Sequence, residues 1–231
     1  MEKHPNIGII IPDRGDRPQF MEHCLWMLHN QTWTEHCTIM VMNTPPIGAD
    51  VDITLRYRMG YDAFRNKGMD VIFLIENDDW YAPDYIEQMY KAWELHNKPD
   101  ILGQQSTLYY HLNLRRYFYF HHMDRSSAMN SMLKPDLNFE WCKDNDPYTD
   151  MHLWTTLKGV TWAPPRIICI GMKHGIGKCG GYMHVSRLHR FTEQDNGLLA
   201  ATVDAASFEF YNAFPHREYE QKPNMQTMFN R

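Results

Sequence analysis

The sequence lacks several features that would assign a protein class at once. Its 231 residues contain no apolar run near the ~20 residues of a membrane-spanning helix, and the apolar stretch at 7–11 is cut by Pro12. The formal net charge is −5, so no overall basic field favours nucleic acid. No internal repeat and no long polar run is present. These absences predict a soluble chain with no signal peptide and no membrane span.

Cysteine is scarce and shows no pairing pattern. The five cysteines are odd in number and scattered, at positions 24, 37, 142, 169 and 179. We therefore expect free thiols in a reducing, cytoplasmic compartment. A zinc site could be drawn from one late segment, using Cys169, His174, Cys179 and His184. It is disfavoured, because structural zinc sites usually contain closely spaced cysteine pairs and this segment has none.

The first eighty residues alternate between strand-like and helix-like patterns. Apolar strand segments lie at 6–11, 37–43 and 70–75, and helical spacing of apolar residues is found at 17–33 and 54–67, the latter ending at Gly68. This β-α-β-α-β order is typical of a parallel, doubly wound sheet. In such sheets ligands bind beyond the carboxyl ends of the strands.

The second half is more irregular. It predicts a helix after Pro83, two antiparallel aromatic strands at 100–112 and 115–123, a helix from about Thr149 and a late strand at 166–172. A glycine-rich loop at 173–184 follows that strand and could reach back over the carboxyl edge of the sheet. From about residue 198 the chain is expected to contribute aromatic packing segments.

Polar residues follow each of the first three predicted strands. These are Asp13 and Arg14, then Asn43, then the run at 76–79, Glu-Asn-Asp-Asp. Crowded carboxylates repel each other, and a divalent cation would offset that repulsion. Mg²⁺ or Mn²⁺ often bridges one or two carboxylates to a diphosphate. The alternative is a solvated loop of helix-capping acids before Pro83, but the position at a third strand end favours the metal.

Three segments of the first ninety residues resemble one family. The turn PDRGDRP at 12–18, NQTW at 30–33 and FRNKGMDVIFLIENDDWYAPDYIEQM at 64–89 are similar to the A-type-fold (GT-A) glycosyltransferases of the large family-two kind. The resemblance implies an α/β, Rossmann-like fold with a mostly parallel central sheet, helices on both faces and a smaller antiparallel acceptor-side part. It also implies a metal-dependent enzyme that moves a sugar from a nucleotide-diphosphate sugar, UDP in a typical member.

The resemblance assigns the nucleotide-diphosphate sugar to Pro12, Asp13, Arg14, Asn43, Arg65, Glu76, Asn77 and Asp78. Asp13 and Arg14 would lie beside the base, and Arg65 would approach from the second helix. Glu76 would face the ribose, and Asp78 would hold Mn²⁺ or Mg²⁺ with support from Asp79. Two departures stand out, because Asn43 replaces the family's aspartate and Glu76 replaces the first acid of its D-x-D motif.

A catalytic base is implied by the segment TDMHLWTTL at 149–157. It resembles a family segment whose aspartate is the general base, which maps that role onto Asp150. An inverting transfer needs a carboxylate opposite the leaving diphosphate to accept the acceptor's proton. Asp150 could instead serve only as a helix cap, and Asp144 and Asp146 are rival bases in the same loop.

The glycine-rich loop offers further ligands. Some A-type enzymes supply a late histidine to the metal, so His174 is the expected second ligand, with His184 as the alternative. Lys173 or Lys178 could face the diphosphate. The loop also resembles loops of small stand-alone enzymes of phage type, for which the compartment would be the host cytoplasm.

The acceptor is expected to be a glycan or a hydroxymethylated DNA base, as in phage DNA modification. The aromatic segment at 109–122 could stack sugars or bases, and the arginines of RLHR at 187–190 could meet phosphates. Core packing of a strand pair is the alternative explanation of the aromatics.

Two other functions remain open. A nucleotidyltransferase acting on a sugar phosphate would share the sheet and the metal, but normally has a glycine-rich basic loop where this chain has PDRGDRP. A noncatalytic nucleotide-sugar-binding protein is the third possibility. In either case we expect one domain at 1–197, with a nucleotide-binding half at 1–95 and an acceptor half at 96–197, and a C-terminal packing segment at 198–231.

Overall fold

The structure is a computed structural model that describes residues 4–44, 51–176 and 182–216, with the backbone alone at 182–185. The strands are β1 (Ile7–Pro12), β2 (Cys37–Met42), β3 (Val71–Leu74), β4 (Trp80–Tyr81), β5 (Ile101–Gln104), β6 (Ser106–His111), β7 (Arg116–His121), β8 (Ser131–Leu133), β9 (Gly159–Trp162), β10 (Cys169–Lys173) and β11 (Glu193–Gln194). The α-helices are α1 (Pro18–His29), α2 (Ile53–Phe64), α3 (Tyr85–Leu95), α4 (Thr149–Thr156), α5 (Leu198–Thr202) and α6 (Ala205–Asn212).

The strands form two sheets. The larger has the order β2-β1-β3-β8-β5-β9. In it β1 pairs in parallel with β2 and β3, β5 pairs in parallel with β9, and only β8 runs antiparallel to its neighbours. The smaller sheet, β11-β7-β6-β10-β4, is antiparallel except for the β6–β10 pair. The predicted mostly parallel sheet with a smaller antiparallel part is therefore confirmed.

Strand β1 is apolar throughout because both of its faces are covered. Side chains of a strand alternate between faces. Ile7, Ile9 and Ile11 belong to one core, together with buried residues of α1, α3 and the smaller sheet. Ile10 belongs to a second core with buried residues of α2 and α4. Burial on both faces explains why the sequence pattern is a continuous apolar run rather than an alternation.

Two glycines set how closely α2 approaches β1. A Cβ added to Gly60 would lie 2.5 Å from Ile10 Cγ2, and one added to Gly8 would lie 3.2 Å from the Phe64 ring. Neither glycine has a left-handed backbone, so these glycines are required by space and not by conformation. The close packing brings the start of α2 to the carboxyl edge of β1, where the candidate site lies.

Helix α2 ends earlier than predicted. The helical stretch was expected to continue to Lys67, but α2 ends at Phe64. Asn66 has a φ of 60°, and its backbone N–H donates to Asp136 Oδ1 at 2.8 Å. The chain therefore leaves the helix to meet a loop of the second half, a contact that no local pattern encodes.

The strand predicted at 100–112 is two strands in different sheets. β5 lies in the larger sheet and β6 in the smaller, with Gln105 between them. The Gln105 N–H donates to the Trp162 carbonyl at 2.8 Å, and its carbonyl accepts from the His122 N–H at 2.9 Å. One residue thus joins the two sheets. The antiparallel pairing of the two aromatic segments is confirmed by β6 and β7.

The C-terminal helices pack on the outside of α1. Phe20 lies 5.5 Å from the Phe210 ring and 5.1 Å from the Phe214 ring, centroid to centroid. Asp204 caps α6 by accepting from the Ser207 N–H, and it also accepts from Trp80 Nε1 at 3.2 Å. These contacts tie residues 198–216 to the loop that carries the acidic run.

Two further sequence expectations meet structural findings. In the described part of the chain, no helix combines the length and the apolarity needed to cross a bilayer. Cys24, Cys37, Cys142 and Cys169 are free thiols. Cys179 lies outside the described residues.

The close packing at Gly60 generates a stability prediction. Replacing a helix-interior glycine by alanine normally favours the helix by about 1 kcal/mol. Gly60→Ala should instead lower the free energy of unfolding by about 1–2 kcal/mol, because overpacking against Ile10 outweighs that gain. Urea unfolding measures the difference. Asp62→Ala, an exposed change on the same helix, is the control and should stay within about 0.5 kcal/mol. A stabilised Gly60→Ala protein would contradict the packing argument.

Candidate active site

A cavity of about 510 Å³ opens at the carboxyl edge of the larger sheet. Its walls come from the turn after β1, the start of α2, the acidic run after β3, strands β6 and β7, the start of α4 and the end of β10. Among its lining residues are Pro12, Arg14, Arg17, Asp52, Arg56, Glu76, Asp78, Tyr109, Phe118, Phe120, Arg125, Asp150, Lys173, Arg187 and Arg190. The cavity therefore collects both halves of the chain around the predicted strand ends.

The acidic run is the most crowded part of the cavity. Oxygens of Glu76, Asp78 and Asp79 all lie within 4.8 Å of one another, and they are the one such acidic or metal-ligating cluster found among the described residues. Asp78 and Asp79 are buried, whereas Glu76 is partly exposed. The Glu76 N–H donates to the Tyr81 hydroxyl at 2.9 Å, which turns the chain sharply as it leaves β3. The run is not the solvated capping loop that the alternative interpretation required.

Asp79 connects the acidic run to β10. Its Oδ1 accepts from the Met172 N–H at 2.7 Å. His174 follows two residues later, and its Nε2 lies 2.9 Å from Asp78 Oδ2. The imidazole is buried and packs on Phe20 with ring centroids 4.3 Å apart. The structure thus brings together Asp78 and His174, the two residues predicted as metal ligands, and the contact of Asp79 with β10 holds the two segments side by side.

Arg17, like Arg56 and Arg125, is a cavity residue that the sequence reasoning missed. It lies directly before Pro18, the first residue of α1, and its Nη1 donates to Asp78 Oδ2. The same guanidinium lies 3.6 Å from Asp16 Oδ1 through its Nε. The sequence signal was the second arginine of PDRGDRP, which the family resemblance left without a role.

Charge in this cluster is strongly coupled. Burial raises the pKa of Asp78, but Arg17 and His174 outweigh it and hold the pKa well below its usual range. Burial and the neighbouring Asp78 raise the pKa of Glu76 to about 7, and the same two causes raise the pKa of Asp79 well above its usual value. Burial opposes the charge of Lys173, yet the three acids raise its pKa.

The cluster fits a divalent cation. Asp79 Oδ2 and Asn77 Oδ1 are buried acceptors without a hydrogen-bond partner. The 2.9 Å between Asp78 Oδ2 and His174 Nε2 matches the roughly 3 Å that separates adjacent ligands bound about 2.1 Å from one ion. Carboxylate oxygens with one imidazole suit Mn²⁺ or Mg²⁺. Asp78 and His174 would hold the ion, with Glu76 and Asp79 nearby.

Arginines form the wall of the cavity at the start of α2. Arg56 is buried, donates from Nη2 to Asp52 Oδ2 at 2.9 Å and donates from Nη1 to the Met42 carbonyl at 2.6 Å. Arg14 Nη1 lies 3.7 Å from Asp52 Oδ1. Asp52 thus holds two arginines on one wall, at the start of α2.

Four of the residues assigned to the nucleotide lie away from the cavity surface. Asp13 accepts from the Gly15 N–H and from Asn77 Nδ2, so these two side chains shape the turn behind the wall. Asn43 is exposed at the end of β2. Arg65 is exposed beyond α2 and donates to the Leu137 carbonyl. The cavity takes Arg56 from the start of α2 and not Arg65 from its end, because α2 points its N-terminus at the sheet edge.

Asp150 lines the cavity from the first turn of α4. Its Oδ2 lies 2.5 Å from Arg125 Nη1. Burial raises the pKa of Asp150 above its ordinary value, and Arg125 opposes that rise. The rival bases have other partners, since Asp144 forms a two-pronged pair with Arg58 and Asp146 accepts from the Tyr148 N–H. Neither rival lines the cavity.

The cavity that Asp150 lines also has an aromatic wall. We use this name for Tyr109, Phe118 and Phe120, which come from β6 and β7 and line the cavity. Tyr109 and Phe118 are stacked at 5.3 Å, and Lys173 Nζ lies 5.2 Å from the Tyr109 ring centroid. Leu108 and Tyr110, on the other face of β6, are buried in the core. The aromatic segment therefore serves both core packing and the cavity.

Other sequence expectations fall outside these walls. Lys178, Cys179 and the side chain of His184 lie outside the described residues. Burial raises the pKa of the Cys169 thiol well above its usual value, which opposes the thiolate that zinc binding needs. The zinc interpretation therefore finds no support in the part of the chain that the structure describes.

The raised pKa of Glu76 generates a prediction for the protein without metal. A carboxyl with a higher pKa in the folded state binds protons there that the unfolded chain has released, so stability falls as pH rises from about 4.5 to about 7. We expect a loss on the order of 1–3 kcal/mol across this window. Urea unfolding in a chelator at both pH values measures it. Glu76→Gln should flatten the dependence, whereas the exposed control Glu35→Gln should not. An unchanged slope in Glu76→Gln would contradict the assignment.

Comparisons with known proteins bear on the fold that carries this cavity. No family model matches the chain. It is 32% identical over an alignment of 91 residues to EpsH of Bacillus subtilis (strain 168), a protein named as an inferred glycosyltransferase; the match covers 32% of this chain and 26% of EpsH, so the chain spans about a quarter of that relative. It is similar in structure to the mannosyltransferase PcManGT from Pyrobaculum calidifontis, solved with GDP-Man and Mn²⁺, with a TM-score of 0.52 and 11% identity, covering 92% of this chain and 69% of that one. The chain therefore has the GT-A fold, and these relatives in sequence and in structure are described as glycosyltransferases.

Proposed function

We propose that this chain transfers a sugar from a nucleoside-diphosphate sugar to an acceptor hydroxyl with the help of a divalent cation. One observation carries the proposal. Asp78, which contacts the buried His174, and Asp150 line one cavity from different elements, so a leaving diphosphate and an acceptor proton would each meet a suitable group in the same space. The similarity to a GDP-Man-binding mannosyltransferase supports the donor class.

The donor would lie along the sheet edge. Its base and ribose would occupy the wall of Pro12, Arg14 and Arg56, with Glu76 toward the ribose. Its diphosphate would meet Lys173, with Arg187 and Arg190 at the exposed mouth. We propose a uridine donor from the family resemblance. Because the expected Asn43 does not line the cavity, the wall near Arg14 and Arg56 would set base preference.

The bound cation would supply Lewis-acid stabilisation of the departing diphosphate. The chain itself contributes the carboxylate and imidazole that hold it, and the Lys173 ammonium adds a fixed positive charge near the same oxygens. Since the three acids keep Lys173 protonated, its charge persists throughout the neutral pH range. Such preorganised charge favours the transition state over the ground state, because negative charge grows on the leaving group.

Asp150 would act as the general base of an inverting transfer. The acceptor oxygen attacks the anomeric carbon, the bond from that carbon to the diphosphate oxygen breaks with its electron pair, and the acceptor proton moves to Asp150. The ion pair with Arg125 holds the carboxylate in one orientation. Burial raises its pKa, which makes it a stronger base than an exposed aspartate at neutral pH.

The acceptor would stack on the aromatic wall. Tyr109, Phe118 and Phe120 line the same cavity as Asp150; of the two predicted acceptor classes, a glycan presents the C–H face of a puckered sugar ring and a hydroxymethylated DNA base presents a flat ring, and each carries a hydroxyl. A nucleotidyltransferase would not need a base carboxylate next to such a wall. This argument and the comparisons favour sugar transfer.

The donor site is tested by calorimetric titration of UDP and GDP with and without Mn²⁺. We expect binding that depends on Mn²⁺ and is at least about tenfold weaker in Asp78→Ala, because this variant removes the carboxylate that holds the ion. Asp144→Ala, an exposed aspartate away from the cavity, is the matched control. Nucleotide binding that is indifferent to Mn²⁺ and to Asp78 would contradict the donor site.

The base is tested through the pH dependence of transfer or of donor hydrolysis. Asp150→Asn should lower kcat by about 10²–10⁴-fold with donor affinity unchanged. Arg125→Gln should move the acidic limb of the kcat profile to higher pH, because removing the cation lets the pKa of Asp150 rise further. Full activity in Asp150→Asn, or an acidic limb that moves to lower pH in Arg125→Gln, would contradict the assignment.

A further inference from the structure

Nitrogen atoms of two side chains contact one oxygen atom, Asp78 Oδ2. His174 Nε2 lies 2.9 Å from it, and Arg17 Nη1 donates to the same atom. Arg17 comes from the turn before α1, and His174 follows β10, so the two groups converge from distant parts of the chain. This oxygen is also the one whose spacing to His174 fits a shared cation.

Arg17 and a cation bound by Asp78 and His174 cannot both keep these positions. The guanidinium donates to Asp78 Oδ2, the same oxygen that the ion would take. A dication about 4 Å from a guanidinium would also repel it strongly, because this part of the site is buried and poorly screened. Binding of the ion therefore requires Arg17 to move.

The structure gives Arg17 somewhere to go. Its side chain lines the cavity beside Asp16, and its Nε is buried without a hydrogen-bond partner. A diphosphate bound in the cavity would present paired anionic oxygens to the acidic cluster. An arginine guanidinium binds such a pair of oxygens through two parallel hydrogen bonds. Asp16 Oδ1, 3.6 Å from Nε, would keep the Arg17 side chain close to the place where the diphosphate would bind.

We propose that Arg17 is an internal counter-ion that pairs with Asp78, competes with the divalent metal for this carboxylate, and moves its guanidinium onto the donor diphosphate when metal and nucleotide bind together. This inference rests on the proposed function, because it needs the metal and the diphosphate. It adds a positioning residue and a coupling between the two ligands. Metal alone must displace Arg17 from Asp78, which weakens metal binding, whereas nucleotide bound together with the metal gives Arg17 a new partner. Metal and nucleotide should therefore each increase the affinity of the protein for the other.

The experiment measures Mn²⁺ binding by electron paramagnetic resonance, first alone and then with saturating UDP or GDP. The variants are Arg17→Gln, Arg17→Lys, Asp78→Asn and the control Arg58→Gln, which removes an arginine that pairs with Asp144 away from the cavity. Nucleotide affinity at saturating Mn²⁺ is measured on the same set by calorimetry. No readout depends on turnover.

We expect Arg17→Gln to bind Mn²⁺ alone about tenfold more tightly than the unmodified protein, because the competitor is gone. With saturating Mn²⁺ it should bind the nucleotide about tenfold more weakly, because the diphosphate loses the fork. Arg17→Lys keeps the charge without the fork, so it should retain weak Mn²⁺ binding and still lose nucleotide affinity. Arg58→Gln should change neither quantity.

Three failures are distinguishable. If Asp78→Asn loses Mn²⁺ binding while Arg17→Gln binds Mn²⁺ no more tightly than the unmodified protein, the counter-ion role is overturned and the metal site stands. If, with saturating nucleotide, Asp78→Asn and the unmodified protein bind Mn²⁺ equally, or neither binds it, the proposed metal-dependent function fails and the inference fails with it. Tighter Mn²⁺ binding without weaker nucleotide binding in Arg17→Gln overturns the transfer of the guanidinium to the diphosphate.

Discussion

The repulsion among Glu76, Asp78 and Asp79 is the constraint on which the site depends. Three carboxylates within 4.8 Å of one another cannot all remain ionised in a largely buried position without positive charge nearby. Side chains from two distant segments lie beside the acids and lower their pKa values. Arg17 comes from the turn before α1, and Lys173 and His174 come from the end of β10. The acids can therefore be buried together only because these two segments converge on them.

This convergence also explains the smaller sheet. β10 pairs with β4 on one side and β6 on the other, and Asp79 accepts from the backbone of β10. The acidic run, the late histidine and the aromatic wall are thus parts of one hydrogen-bonded unit. Because β10 pairs with β6, a displacement of β10 would move His174 and Tyr109 together.

The two walls of the cavity differ in chemistry. The wall at the start of α2 is charged, with Asp52 pairing to Arg14 and Arg56. The aromatic wall presents ring faces, and the same cavity is lined by one paired carboxylate, Asp150. The cavity thus has ion-paired side chains on one side and aromatic ring faces on the other. Under the proposed function, the charged side would meet the diphosphate and the aromatic side would meet a ring of the acceptor.

The sequence by itself determined the elements around the site and most of its acids. The continuous apolar runs of β1 and β3 predicted a sheet covered on both faces, and parallel strands bring their carboxyl ends to one edge, so Glu76 and Asp78 could be placed from local pattern alone. Asp150 and His174 followed from resemblance to a family. Tertiary structure alone decided that Arg17 pairs with Asp78, that Arg56 and not Arg65 reaches the cavity, that residues 101–111 divide between two sheets, and that Gly60 lies against Ile10. Each of these depends on contacts between residues far apart in the chain, whereas propensity and periodicity report only on near neighbours.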